Sequence, residues 1–529
     1  MSLCTQIKDS SVEESDLFLY SLDAPLQSQQ RCLLNILRSN QCCEYGKRYG
    51  FSTINSIKEF QQLVPVVDYE HISKYIDRML VGEKNILCND PVRFFEVTGG
   101  STAGPKYIPY TDLSLAALQS ALQPWLYDLL VNREGVFSGR SYWAISPKIN
   151  KISETPGGTK IGIDNDAEYF GSEVASLLSQ TFVYSPSMLK DQDLDTWRYI
   201  TLRYLLATED LRFISVWSPT FILDLMDHLK KNYRSIVDDI ASGNCAGSID
   251  RFDPDPERAA TVERACLGSK LNAGLLWSEL DTISCWIDGA SKIYSKQLYD
   301  LFPGVYIQGK GLLATEGIIT IPLCETNRSV LAINSGFYEF VDDADKVHLC
   351  SEVRQGECYQ VLITTYAGLY RYAIGDRVRV TGWHGKTPQL EFIGRGGLVS
   401  DLCGEKLTEN FVLERLPQSK GFAMLSPMMT PERHYVLLLD SDYWSQAEAG
   451  DCAIHMDEAL NDNPQYRYAR KIGQLASVEA VRINAPWKHY ADFASSKRRN
   501  MGDLKHAALA SDSELFDYLV QYNKDVNDR

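Results

Sequence analysis

Between Thr98 and Lys106 the chain reads Thr-Gly-Gly-Ser-Thr-Ala-Gly-Pro-Lys. Glycines let a backbone turn tightly and aim its N–H groups at an anion, and Lys106 adds a cation, which together suit a nucleotide polyphosphate. Taken alone, the stretch reads more simply as an ordinary Gly/Ser/Thr turn. Two later segments carry compatible chemistry. In Gly309-Lys310-Gly311-Leu312-Leu313-Ala314-Thr315-Glu316-Gly317, a hydroxyl can hold a phosphate oxygen and the adjacent carboxylate can hold Mg²⁺, which takes one or two carboxylates plus phosphate oxygens. In Tyr372-Ala373-Ile374-Gly375-Asp376, a carboxylate after glycine at a strand junction can accept both ribose hydroxyls. By themselves, Glu316 reads equally as a solvated loop carboxylate and Asp376 as part of a turn.

Periodicity supplies the elements that must position these residues. Phe94, Phe95 and Val97 precede the first loop, and Leu115, Leu118, Leu122, Trp125, Leu126 and Leu129 follow at helical spacing, so a strand, a loop and a helix are expected. Upstream, Leu33, Ile36 and Leu37, then Ile57, Phe60 and Leu63, then Ile72, Tyr75, Ile76 and Met79 mark three amphipathic helices. Arg140 to Ser187 is irregular. Trp197 to Lys231 reads as helical, broken at Trp217-Ser218-Pro219, and its aromatics read as core. Ile283 to Ile287 and Val305 to Gln308 read as short buried strands flanking a helix. Strands alternating with helices, with glycine-bearing loops at the strand ends, imply an α/β sheet with ligands at its carboxyl edge. Val361 to Thr365 is a further strand, and Gly394-Arg395-Gly396-Gly397 is a break after which helices and strands alternate again.

Composition bounds the class. The 529 residues suffice for two or more domains, and 44% hydrophobic with 23% charged residues is ordinary globular composition. A net charge of -16 argues against a general nucleic-acid binder, which relies on a basic surface. The 13 cysteines are scattered without C-x-x-C pairs, and the 8 histidines fall at no metal-ligand spacing with them, which points to a reducing cytoplasm and no structural zinc. The acidic, polar N-terminus and the lack of any apolar run near the ~18 residues of a membrane span argue against secretion and insertion.

The order of the motifs resembles that of the ANL adenylating enzymes, the superfamily of acyl-CoA synthetases, peptide adenylation domains and luciferases. Within it the chain is most similar to the Gretchen Hagen three family of acyl acid amido synthetases. Val64-Pro65-Val66-Val67-Asp68-Tyr69-Glu70, Phe337-Tyr338-Glu339-Phe340, and Thr364-Thr365-Tyr366-Ala367-Gly368-Leu369-Tyr370-Arg371-Tyr372 followed by Gly375-Asp376 carry that similarity. Ala314-Thr315-Glu316 replaces the Ser-Ser-Glu of plant members and points to a microbial relative.

The resemblance implies a large α/β adenylating domain over residues 1–396 and a small mobile α+β domain over 397–529. It implies that Ser101, Thr102 and Lys106 hold the β- and γ-phosphates of ATP and that Thr315 holds the α-phosphate. Glu316 would bind Mg²⁺, Asp376 with the Tyr372 motif the ribose, and Gly289, Ala290, Leu312 and Leu313 the adenine. Arg395 would reach ribose or phosphate from the hinge. The mobile lysine falls on Lys505 in Gly502-Asp503-Leu504-Lys505, although His506-Ala507-Ala508 replaces the expected Lys-x-Pro-Arg continuation, and Lys497 is its rival. The implied reaction joins a carboxylic acid to an amine, such as an amino acid, through an acyl adenylate, in a monomer or weak homodimer. An acyl-CoA ligase and a non-catalytic nucleotide-binding relative are the alternatives.

Overall fold

A computed structural model describes residues 2–99, 105–143, 154–163, 169–189, 193–268, 270–396, 399–417, 421–429, 432–496, 506–510 and 514–527. The expected helices form at Pro25–Asn40, Ile57–Leu63 and Tyr69–Leu80. Each of the last two starts on a side-chain cap, Ser56 accepting from the Glu59 N–H and Asp68 from the His71 N–H. Gln29 and Gln61, on the first two helices, bond the strand Phe337–Val341 of a seven-stranded antiparallel sheet. Its strands run, in spatial order, Thr320–Leu323, Arg328–Leu331, Thr387–Arg395, Tyr372–His384, Cys358–Thr364, Phe337–Val341 and Val347–His348.

Three of the motifs quoted above meet on this sheet. Arg371 donates from Nε and Nη2 to the two oxygens of Glu339 at 2.9 and 3.1 Å, and from Nη1 to the carbonyls of Gln61 and Val64. Gln61 Nε2 donates to Glu339 as well. The pair is buried, with side chains 7% and 1% exposed. Val67 bonds the same stretch of backbone, donating to the Arg371 carbonyl and accepting from the Ala373 N–H. Tyr370, fully buried, donates to the Leu87 carbonyl and stacks on Tyr45 at 5.0 Å. Arg371 itself is in the left-handed region at φ 47°, a strained position for a residue with a Cβ that its fork of hydrogen bonds holds in place.

A second sheet is parallel, with Arg140–Trp143, Leu211–Ser215, Thr282–Cys285 and Tyr306–Gly309 side by side in chain order. Helices Leu194–Leu206, Pro219–Ser242, Pro256–Cys266 and Lys292–Leu301 fall between its strands in the chain. The stretch from Trp197 to Lys231 is therefore not helical throughout: Leu211–Ser215 is a strand, because Leu-Arg-Phe-Ile-Ser is too short for a helix and is buried between parallel neighbours. Gly375-Asp376 also departs from the expected strand junction. It lies inside one strand, Tyr372–His384, where Gly375 at φ 83° and a register shift at Arg377/Val378 let the ladder continue.

The C-terminal segment builds a three-stranded sheet from Ala423–Met428, His434–Asp440 and Glu479–Ile483. Alternation sends Ala423, Leu425, Tyr435, Leu437 and Leu439 into its own core with the helix Gln446–Leu460. Phe422, Met424, Val436 and Leu438 join instead the core of the parallel sheet and its helices. Among the described residues no helix is long and apolar enough to cross a membrane.

Removing one partner of the buried pair leaves a charge without its counterion. Glu339→Gln or Arg371→Met is expected to lower stability by about 3–5 kcal/mol, read as a fall in the urea midpoint. The double variant Glu339→Met, Arg371→Met should recover part of that loss. Unchanged midpoints in both single variants would show that the pair does not hold the motifs together.

Candidate active site

The glycine-rich stretch connects two strands, not a strand and a helix. Val92–Gly99 pairs antiparallel with Pro105–Thr111, setting Thr98 opposite Lys106, Glu96 opposite Ile108 and Phe94 opposite Tyr110. Aromatic and β-branched residues in Tyr107-Ile108-Pro109-Tyr110 favour the strand, and the helix Asp112–Asn132 begins only after it, capped by Thr111. Ser101 and Thr102 lie outside the described residues. Lys106, Ile108 and Tyr110 share one face of their strand, and Glu96 and Thr98 lie on the matching face of the other.

Thr315 and Glu316 form the tip of a second hairpin, in which Leu313 pairs with Ile318 and Ala314 with Gly317. The Tyr110 hydroxyl donates to the Thr315 carbonyl at 2.6 Å and ties this tip to the first hairpin. Burial raises the Tyr110 pKa well above its ordinary value, and the charges of Glu96 and Glu316 raise it further. Tyr169 donates to Glu96 at 3.1 Å. On the other side, Lys106 Nζ stands 5.5 Å from the centroid of the Tyr69 ring. Tyr69 accepts the Tyr107 N–H at 2.8 Å, and its own pKa is raised mainly by burial, with Glu316 among the contributing charges. One lysine and two carboxylates thus lie around two phenols, Tyr110 buried and Tyr69 half-buried. Below the tip lies a cavity of about 30 Å³ lined by Tyr110, Leu118, Glu316, Tyr338, Ile363 and Thr365 among others.

Gly289 starts the turn Gly289–Ser291 that leads into the helix Lys292–Leu301, after the parallel strand Thr282–Cys285. At φ 57°, with any Cβ 3.2 Å from the Phe392 ring, the position favours glycine. Ala290 follows it in the same turn. Asp288, just before, has its carboxyl pushed up to about 6, first by burial and then by the charge of Glu391. Leu312 is buried and donates its N–H to Thr320 Oγ1, and Leu313 is half-buried. Asp376, 1% exposed, stands opposite Arg395 in the strand pair, and Gly396 donates to the Gly375 carbonyl beside them. Tyr372 is buried in the core and bridges to Val67. Lys505 and its rival Lys497 lie outside the described residues.

Glu96 and Lys310 were not singled out from sequence. Lys310 is buried just past the parallel strand Tyr306–Gly309, donating to Ser215 Oγ at 2.7 Å with its ammonium 5.2 Å from the Trp217 ring centroid. A lone Glu in an apolar strand and a Lys between two glycines carry no spacing signal, so only the folded arrangement exposes either.

The profile of the GH3 family N-terminal domain matches residues 17–307, that of its central domain 329–395 and that of its C-terminal domain 410–514. The chain belongs to the GH3 family. An indole-3-acetic acid-amido synthetase, GH3.4 of Arabidopsis thaliana, is 25% identical over 91% of this chain and 88% of its own length. The 4-substituted benzoates-glutamate ligase GH3.12 of the same plant is 24% identical over 90% and 91%. Among solved structures, the GH3.15 acyl acid amido synthetase in complex with 2,4-DB superposes with a TM-score of 0.84 at 21% identity, covering 98% of this chain and 96% of that one. A 2-hydroxyisobutyryl-CoA ligase in its postadenylation state with 2-HIB-AMP superposes with a TM-score of 0.57 at 11% identity, over 95% and 92%. The GH3 chain therefore has the adenylate-forming ligase fold, in which an α/β body precedes a smaller C-terminal unit.

In this GH3 chain Lys106→Ala and Glu316→Gln should each reduce pyrophosphate exchange by about two to three orders of magnitude, the scale of a positioned charge-stabilising group. Circular dichroism should stay unchanged. Exchange at the wild-type rate in both variants would remove these residues from the site.

Proposed function

We propose that the chain is an ATP-dependent acyl acid amido synthetase that activates a carboxylic acid as its acyl adenylate and passes the acyl group to an amine. The observation that carries the reading is the convergence of Lys106, Glu316, Glu96, Tyr69 and Tyr110 at the meeting of two hairpins. In the first step the acid's carboxylate oxygen forms a bond to the α-phosphorus, and the bond to the bridging oxygen breaks so that pyrophosphate leaves with the electron pair. Negative charge builds on the departing phosphates, where Lys106 offsets it. Ser101 and Thr102 hold the β- and γ-phosphates, and Thr315 the α-phosphate. The donor set fits Mg²⁺: one or two carboxylates, Glu316 with Glu96 close by, leave positions open for phosphate oxygens and water. When bound, the ion neutralises phosphate charge.

The nucleotide's remaining contacts fall to Gly289, Ala290, Leu312 and Leu313 for adenine and to Asp376, beside Tyr372 and Arg395, for ribose. In the second step a neutral amine attacks the acyl carbon, the C–O bond to AMP breaks, and the amine's proton is lost. The C-terminal unit turns between the steps about the Arg395 to Gly397 junction, bringing Lys505 to the site for the first of them. The acid is a small molecule, the amine is an amino acid, and the enzyme works in the cytoplasm.

The amine of a free amino acid, beside its own carboxylate, titrates above the ~8 of a chain N-terminus and is mostly protonated at neutral pH. Amide formation should accordingly rise with pH between about 6.5 and 8.5 more steeply than pyrophosphate exchange does. A panel of acids screened by pyrophosphate exchange identifies the first substrate. Twenty amino acids, simple amines and coenzyme A are then offered in parallel with ATP and Mg²⁺, and products are identified by mass. Amide is the expected product. Thioester as the main product, with no amide from any amine, would overturn the reading in favour of an acyl-CoA ligase.

A further inference from the structure

Four buried polar atoms without a hydrogen-bond partner gather where the C-terminal unit meets the body: Tyr294 Oη, Trp487 Nε1, and both ring nitrogens of His506. Buried polar groups are nearly always paired, so a cluster of this kind calls for an explanation. The His506 ring lies 4.6 Å from Phe422, 5.5 Å from Tyr294, 6.1 Å from Tyr490 and 6.3 Å from Trp487, measured between ring centroids. Three of those four rings belong to the C-terminal unit. Tyr294 belongs to the body, in the first turn of the helix Lys292–Leu301, directly after the Gly289–Ser291 turn packed against Phe392. His506 cannot drift from its own unit, because Leu425 donates to the Ala508 carbonyl, Ala510 donates to the Leu425 carbonyl and Ala508 donates to Glu409.

We propose that His506 is a positioning residue for the two-step reaction: as a neutral ring it holds the C-terminal unit against the helix Lys292–Leu301, and taking up a proton frees the unit to turn. The inference rests on the acyl adenylate reading for its meaning but on the cage for its physics. A charged imidazole enclosed by four aromatic rings with no acceptor for either N–H is not tolerated, and burial accordingly pushes the His506 pKa down to about 3. Once out of the cage the ring returns to an ordinary value near 6.5. The docked form binds fewer protons, so docking is fully present above about pH 6.5 and weakens as pH falls from there toward 3.

Among the described residues, Tyr294 and Tyr490 are the titratable rings of the cage, and Tyr294 is held well above its usual range by burial, then by Asp440, with Tyr490 and Tyr443 adding to it. Asp440 ends the strand His434–Asp440, with its carboxyl pushed up to about 6 by burial. His489 and Asp492, on the same helix as Trp487 and Tyr490, interact with each other, and Asp492 interacts with Arg198 of the body. His228 stands near Arg198 as well, and burial lowers both histidines.

Hydrogen exchange of the full chain, corrected for the intrinsic effect of pH, reads the junction through peptides spanning 292–301 and 486–496. In the wild type the opening equilibrium should rise about tenfold between pH 7.5 and 5.5, the factor set by a ring that titrates near 6.5 only when undocked. His506→Phe keeps an aromatic ring and adds no unpaired nitrogen, so it should dock more tightly and lose the part of the pH dependence that His506 supplies. His506→Gln, polar but not titratable, should lose the same part while docking less tightly. Asp440, His228 and His489 remain in both variants, so the difference isolates His506. At a fixed concentration of neutral amine, the ratio of pyrophosphate exchange to aminolysis of supplied acyl adenylate should shift with pH in the wild type and stay flat in His506→Phe. A wild-type opening that ignores pH, or variants that keep the wild-type slope, would overturn the proposal. Opening that follows pH while the ratio does not would sever the latch from the reaction. The exchange readout needs no substrate, so its failure is distinct from failure of the amido synthetase reading.

Discussion

The ion pair between Arg371 and Glu339 is the constraint on which the body of this protein depends. A guanidinium with its bidentate carboxylate and two backbone carbonyls is one of the few ways to bury a charge in a sheet core at acceptable cost. It joins the segment from Gln61 to Val67, the strand Phe337–Val341 and the start of the strand Tyr372–His384, and so orients helices and sheet before any substrate contact is made. The residues that mark the chain most specifically are thus largely architectural. Tyr370 and Arg371 face protein, and what they position is the next turn of chain, toward Gly375 and Asp376.

From that frame the site is assembled by two hairpins and one tyrosine. The Tyr110 hydroxyl fastens the Thr315 carbonyl and lies in the field of both Glu96 and Glu316. Carboxylates near a buried phenol and the Lys106 ammonium over the Tyr69 ring match the opposite charges of a divalent cation and a polyphosphate. The net charge of -16 is no obstacle to binding an anion, because glycine-loop N–H groups, a lysine and a cation act over a few ångströms while the rest of the surface is screened beyond about 10 Å.

The C-terminal sheet is buried on both faces, one against its own helices and one against the core of the parallel sheet. An apolar junction of that kind resists rotation, since free movement is the default only where an interface is small or polar. The unpaired atoms of Tyr294, Trp487 and His506 work in the opposite direction, because they make the docked arrangement less favourable than a fully apolar junction would be.

How much of this was legible in the sequence follows from what each signal depends on. The three N-terminal amphipathic helices and the buried strands around residues 283–287 and 305–308 were readable because helix period and apolar runs are local properties. The ordered motifs placed the chain among adenylating ligases because their residue types at their spacing answer one chemical task. The sequence could not show that the loop after Gly99 returns as a strand, that Leu211–Ser215 is a strand inside a helical stretch, or that Gly375-Asp376 lies within a ladder. Each of these is decided by partner strands distant in the chain, and pairing overrides local propensity. Nor could it show Glu96 and Glu316 acting on one phenol, or a histidine shut among four rings, since both neighbourhoods unite residues more than 80 positions apart. Residue types by themselves determined what chemistry was available; only the tertiary structure decided which groups share a low-dielectric space, where charge and hydrogen bonds acquire their strength.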